Sequence, residues 1–142
     1  MVAVHLVVGC AVILFNLAGG LSGGIAWFRH RASVPFWYLL RAAQGSVFLQ
    51  VALGGLLVVT NHEPAESLHF VYGLSPLLVS FLAEGARAGA AQRELGEVDF
   101  EALPGEEQQS FALAIVRREM GIMAVSCWVI FFLALRAATT GG

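Results

Sequence analysis

The chain has 142 residues, of which 58% are hydrophobic and only 13% are charged, and its formal net charge at pH 7 is −2. Soluble domains carry about 25% charged residues, so this chain has too little charge to cover a surface that faces water. The small negative charge, without a basic patch, also argues against nucleic acid as a partner. The composition therefore predicts a protein that lies in a lipid bilayer and has no separate soluble domain.

Four long apolar stretches fill most of the sequence and predict four transmembrane helices. A helix of about 20 mostly apolar residues is long enough to cross the hydrocarbon core of a bilayer. The predicted fold is an all-α, integral membrane four-helix bundle, in which the whole chain forms one polytopic domain. The expected helices are 2–28, 37–59, 67–84 and 108–136, with a polar cytoplasmic loop at 85–107.

The positions of the arginines predict how the helices are oriented. Cytoplasmic loops carry an excess of Lys and Arg, so both termini are expected outside the cell and the polar loop inside. No positive side chain precedes the first apolar stretch, which distinguishes it from a cleaved signal peptide. The expected location is the inner (plasma) membrane. Seven of the eight basic residues flank the first and third connections: Arg29, Arg31, Arg41, Arg87, Arg93, Arg117 and Arg118.

Several small and polar residues interrupt the apolar stretches. The glycines within 19–24 have GxxxG spacing, which is typical of helices that approach one another closely in a membrane. Asn16, Gln44 and Gln50 are polar side chains in apolar surroundings. We expect all three to face the interior of the bundle and to form hydrogen bonds between helices.

Two histidines are the strongest candidates for a binding site. His5 and His69 each lie about one turn inside a helix, and the predicted topology makes these two helices parallel, so their imidazoles are expected at similar depth. Two facing imidazoles inside a four-helix bundle can act as axial ligands of a haem iron. Alternatively, both are interfacial residues that anchor helix ends. Two further alternatives are a metal site of His62, Glu66 and His69 and a proton relay that includes Glu63 and Glu66.

The segment FLQVALGGLLVVTNHEPAESLHF, residues 48–70, resembles a helix–loop–helix of the haem A synthase family. That family shows a Leu-Gln, a pair of small residues, a run that ends in a short outer loop, and a histidine that opens the next helix. The stretch from His5 to Arg29 is similar to the family's histidine-bearing helix, which ends in Trp and Arg. The resemblance covers residues 4–82.

The resemblance implies that His5 and His69 are haem ligands and that Gln50, Gly54 and Gly55 belong to helix packing. The family's outer-loop cysteine pair and its second half have no counterpart in this sequence. The resemblance therefore implies a fold that binds or handles haem b rather than one that synthesises haem A. A homodimer is expected to take the place of the family's two halves.

Two classes of function follow from the sequence, and neither requires a catalytic residue. The first is a haem b-binding protein of respiratory electron transfer or haem handling, with His5 and His69 as ligands of the haem iron. The second is a cofactor-free accessory or structural subunit of a larger membrane complex, whose glycine-rich faces contact partner proteins. The first requires an open space beside both histidines. The second predicts a tightly closed bundle with small residues facing outward.

Overall fold

The computed structural model describes residues 1–62, 64, 66–96 and 98–141. All four of its α-helices are long and apolar enough to cross a membrane, which confirms the predicted all-α four-helix fold. The helices are α1 (Val2–Phe28), α2 (Val34–Val59), α3 (Leu68–Leu95) and α4 (Gly105–Thr140), and a short 3-10 helix (Phe100–Ala102) precedes α4.

The helices form an up-and-down bundle in which three of the four pairs of neighbouring helices pack closely. α1 packs against α2 and α4, and α3 packs against α4, whereas α2 and α3 share a much smaller contact. We name the two ends of the bundle by their polar residues. The histidine end is the end at which α1 and α3 begin, and it contains His5 and His69. The arginine end is the opposite end, and it contains Arg29, which follows α1, and Arg87, which lies in the last third of α3.

Glycines of α1 bring this helix close to its neighbours. Gly19, Gly20 and Gly23 are buried. A Cβ atom added to Gly23 would lie only 2.5 Å from Cε2 of Phe36 in α2 and 2.9 Å from Cβ of Ala124 in α4. The GxxxG pattern therefore serves packing inside the bundle. The apolar cluster around this contact consists of Phe36, Leu40, Ala83, Met120, Met123, Ala124 and Cys127.

Charged side chains close the arginine end by bonding to one another. The carboxylate of Glu84 in α3 accepts hydrogen bonds from Arg41 and Gln44 of α2, each at 2.7 Å, and from Arg87 at 2.8 Å. Arg87 also reaches Glu119 of α4 at 3.4 Å. This network links three helices. The expected interhelical bond of Gln44 is thereby confirmed.

Three helices extend further than hydropathy predicted. α2 begins at Val34, α3 continues to Leu95, where Gly96 ends it with a positive φ of 48°, and α4 runs from Gly105 to Thr140. The expected loop at 85–107 is therefore helical over much of its length. Hydropathy falls after residue 84, but the Ala, Gln, Arg and Glu residues that follow are good helix formers and continue the backbone pattern in a polar environment.

Candidate functional site

The structure brings His5 and His69 together at the histidine end. Their ring centroids lie 6.2 Å apart, and the ring planes are inclined by 57°. Both side chains are half-buried. The two residues come from helices on opposite corners of the bundle, so the imidazoles meet in its interior. Their similar depth agrees with the sequence-based expectation, whereas their role as iron ligands stays a prediction.

The end of α4 holds the imidazole of His69. Its Nδ1–H donates a hydrogen bond to the carbonyl oxygen of Ala137 at 3.0 Å. Because a carbonyl oxygen can only accept, the proton lies on Nδ1, and in the neutral ring Nε2 bears the lone pair. Metal-binding histidines show this arrangement, since they donate the other ring N–H to a carbonyl or carboxylate. A Cβ atom at Gly141 would lie 3.1 Å from Cε1 of the same ring.

The imidazole of His5 contacts Gln50 of α2. Its Nε2 atom lies 3.0 Å from the side-chain amide nitrogen of Gln50, which confirms the expected interhelical bond of this glutamine. Nδ1 of His5 and Oε1 of Gln50 are both buried, and neither has a hydrogen-bond partner among the described residues. An unsatisfied buried polar atom costs about 1–3 kcal/mol. Two such atoms on residues that contact each other therefore indicate a place where a ligand would recover bonding energy.

A cavity of about 680 Å³ adjoins these side chains. Protein sites for small molecules and cofactors have volumes of about 300–1,000 Å³ and mostly apolar walls with a few polar groups. The cavity has this character, because His5, Gln50, His69 and Tyr72 lie among apolar side chains and glycines of all four helices. It is large enough to hold a cofactor or a lipid-soluble molecule.

The cavity forms where α2 and α3 separate. In the arginine half of the bundle these helices are joined by the Gln44–Glu84 hydrogen bond and by the rings of Phe48 and Phe81, whose centroids are 5.6 Å apart. Towards the histidine end the cavity wall includes Gly55 of α2, and a Cβ atom there would meet nothing within 4 Å. Small residues and the sparse contact between α2 and α3 therefore leave the open space.

The alternative metal site of His62, Glu66 and His69 is wrong. Within the described ranges, no group of three or more His, Cys, Asp or Glu side chains could hold a metal ion. His62 turns back to the end of α2, where its Nδ1 donates to the carbonyl oxygen of Thr60 at 3.0 Å, while His69 bonds to α4. Glu63, a member of the alternative proton relay, lies outside the described residues.

No protein-family model, no curated protein and no solved structure matches the chain. The resemblance to the haem A synthase family therefore stays a prediction. The fold itself defines the class: four apolar helices indicate a multi-pass integral membrane protein in a lipid bilayer.

Proposed function

We propose that this membrane protein binds haem b, whose iron His5 and His69 would hold, and acts in respiratory electron transfer or haem handling. The observation that carries the proposal is the pair of imidazoles whose centroids lie 6.2 Å apart beside the cavity. The separation of the ring centroids is compatible with one iron between the two rings, because metal–imidazole bonds are about 2 Å long.

The residues of the site fit a haem. Nε2 of His69 bears a lone pair. Nδ1 of His5 has no partner in the described part of the chain, and it would offer a lone pair to iron when the Gln50 amide presents its oxygen to Nε2–H of the same ring. An apolar cavity between the helices of a four-helix bundle suits the apolar macrocycle. Gly54 supports this fit, because a Cβ atom at this position would lie 3.3 Å from Cε1 of His5.

The chain's own residues would control the cofactor in three ways. A bound haem would supply one-electron redox chemistry. The Ala137 carbonyl would fix the orientation of His69 and raise its basicity as a ligand. The apolar wall would limit access of water, which influences the reduction potential of a bound haem. The proposed assembly is a homodimer or a larger membrane complex in the inner membrane, with the termini outside.

The accessory-subunit alternative has less support. It predicts a closed bundle with small residues facing outward. The cavity and the inward packing of Gly19, Gly20 and Gly23 favour the cofactor-binding proposal instead.

An absorption spectrum of the detergent-purified protein tests the proposal. Protein expressed with ample haem should show a Soret band and, after reduction with dithionite, sharp α and β bands. His5→Ala and His69→Ala should each abolish these bands. His30→Ala is the matched control, because His30 is exposed at the arginine end and should leave the spectrum unchanged. A featureless spectrum of the wild type would reject haem binding, and bands that persist in both variants would reject the ligands.

A further inference from the structure

The contact between Gln50 and His5 is enclosed on both sides by glycines. Gln50 lies on α2 and His5 on α1, so the 3.0 Å contact crosses a helix interface. A Cβ atom at Gly9 would lie 3.1 Å from the amide nitrogen of Gln50, and one at Gly54 would lie 3.3 Å from Cε1 of His5. Both helices therefore lack side-chain bulk where the amide and the imidazole meet.

The amide of Gln50 contacts Nε2 of His5, so its orientation determines which ring nitrogen carries the proton. In the structure the amide nitrogen faces Nε2, so its N–H donates and the neutral ring carries its proton on Nδ1. If the amide is turned so that its oxygen accepts from Nε2–H, the lone pair lies on Nδ1, which is buried and has no protein partner in the described ranges. The second arrangement matches that of His69, where one ring nitrogen donates to a carbonyl oxygen and the other is left to bind.

We infer that Gln50 is the positioning residue of His5, because its amide fixes the orientation of the imidazole and selects the nitrogen that this ring presents to the cavity. The part of this inference that concerns iron rests on the proposed haem function, but the effect on the ring itself does not. It assigns Gln50 a role beyond the helix packing that the family resemblance implies.

The position of Gln50 fits this role better than a packing role. Oε1 of Gln50 is buried without a bonding partner in the described structure, and such an atom costs about 1–3 kcal/mol. A leucine of similar size would fill the same space without that cost, but it would also remove the hydrogen bond that Nε2 of His5 accepts. Gln50→Leu should therefore change the stability of the protein little while it disturbs the His5 ring. Replacement of a residue that only fills space would leave the ring unaffected.

The direct test is the tautomer of His5, measured by nitrogen NMR on protein labelled with ¹⁵N-histidine and assigned with His5→Ala. The wild type should show one neutral tautomer, and Gln50→Leu should show a mixture of the two. Gln44→Leu is the matched control, because Gln44 lies on the same helix but bonds to Glu84 at the arginine end. An unchanged tautomer in Gln50→Leu would overturn the inference, whether or not haem binds.

The second test measures haem. Loss of a group that orients a metal ligand lowers metal affinity by about 10–100-fold, so Gln50→Leu should bind haem about 10–100-fold more weakly. Its ferric electron paramagnetic resonance signal should also differ from that of the wild type. Equal affinity and equal signals would reject the role of Gln50 and leave the haem proposal intact. A wild type that binds no haem would reject the haem proposal, and the tautomer measurement would still decide the role of Gln50.

Discussion

The two ends of the bundle differ in whether their polar side chains find hydrogen-bond partners. At the arginine end, Arg41, Gln44, Glu84, Arg87 and Glu119 bond to one another and join three helices. At the histidine end, two polar atoms next to a cavity have no partner among the described residues. Polar groups that satisfy each other hold a fold together, whereas unsatisfied ones beside an open space indicate a binding site.

Within the described structure, one side chain at the arginine end has an unpaired polar atom, unlike the network around Glu84. Nε of Arg117 is buried and lacks a hydrogen-bond partner in the described part of the protein. Its guanidinium carbon lies 5.7 Å from the ring centroid of Trp27, a cation–π distance. The aromatic face therefore accounts for the position of this guanidinium group.

The largest effect on stability should come from the closed half of the bundle. The Cβ atom of Gly23→Ala would lie 2.5 Å from the buried Phe36 ring, which has no room to move. Overpacking of a core costs about 1–3 kcal/mol, so thermal unfolding in detergent should occur at a lower temperature. Gly24→Ala is the matched control, since its Cβ atom would meet nothing within 4 Å. Equal losses of stability in both variants would contradict the packing described for α1.

A smaller effect should come from the charged network. Glu84→Gln removes the charge that binds Arg41 and Arg87, so the free energy of unfolding should fall by about 1 kcal/mol, as for loss of a typical hydrogen bond. The haem spectrum should be unchanged, because the network lies at the opposite end. Glu94→Gln provides the control: its partner Arg118 is 53% exposed, so the change should stay below about 1 kcal/mol. A changed spectrum in Glu84→Gln would show that the ends are coupled.

The smallest effect on stability should come from the wall of the cavity. The Cβ atom of Gly54→Ala would lie 3.3 Å from Cε1 of His5, a tight contact that the open cavity can relieve. Stability should change by no more than about 0.5 kcal/mol, while haem binding weakens severalfold. Gly45→Ala on the same helix should affect neither property, since its Cβ atom meets open space. Strong destabilisation by Gly54→Ala would indicate that the histidine end is as closed as the arginine end.

The sequence was sufficient to predict the number of helices and the bounds of α1, because a run of apolar residues suffices for both. The interhelical hydrogen bonds of Gln44 and Gln50 were also predicted, since a polar side chain in lipid has few other partners. Asn16 is buried inside the bundle, as predicted, but the prediction of its interhelical hydrogen bond was wrong: its amide donates to the carbonyl oxygen of Val12 in its own helix at 2.8 Å. A short side chain can satisfy itself on the preceding turn, whereas glutamine reaches the next helix.

The cavity and the partners within the charged network could not be predicted from the sequence, for a different reason. A helix that is apolar on all sides gives no periodic signal for which face turns inward. The partners of Glu84 and Gln50 depend on that rotation, and the separation of α2 from α3 depends on it as well. The carbonyl group of Ala137, which orients His69, belongs to the backbone, so the amino-acid type at position 137 does not indicate this role.

The length of α4 exceeds what is needed to cross a bilayer. Its 36 residues span about 54 Å, whereas the hydrocarbon core is about 30 Å thick. The polar part of α3 runs beside it, and the two are joined by Arg87–Glu119 and Arg118–Glu94. A fluorophore attached near Asp99, at the tip of this helical hairpin, would therefore stand clear of the lipid headgroups. Its motion should report the tilt of α3 and α4, which these two ion pairs join.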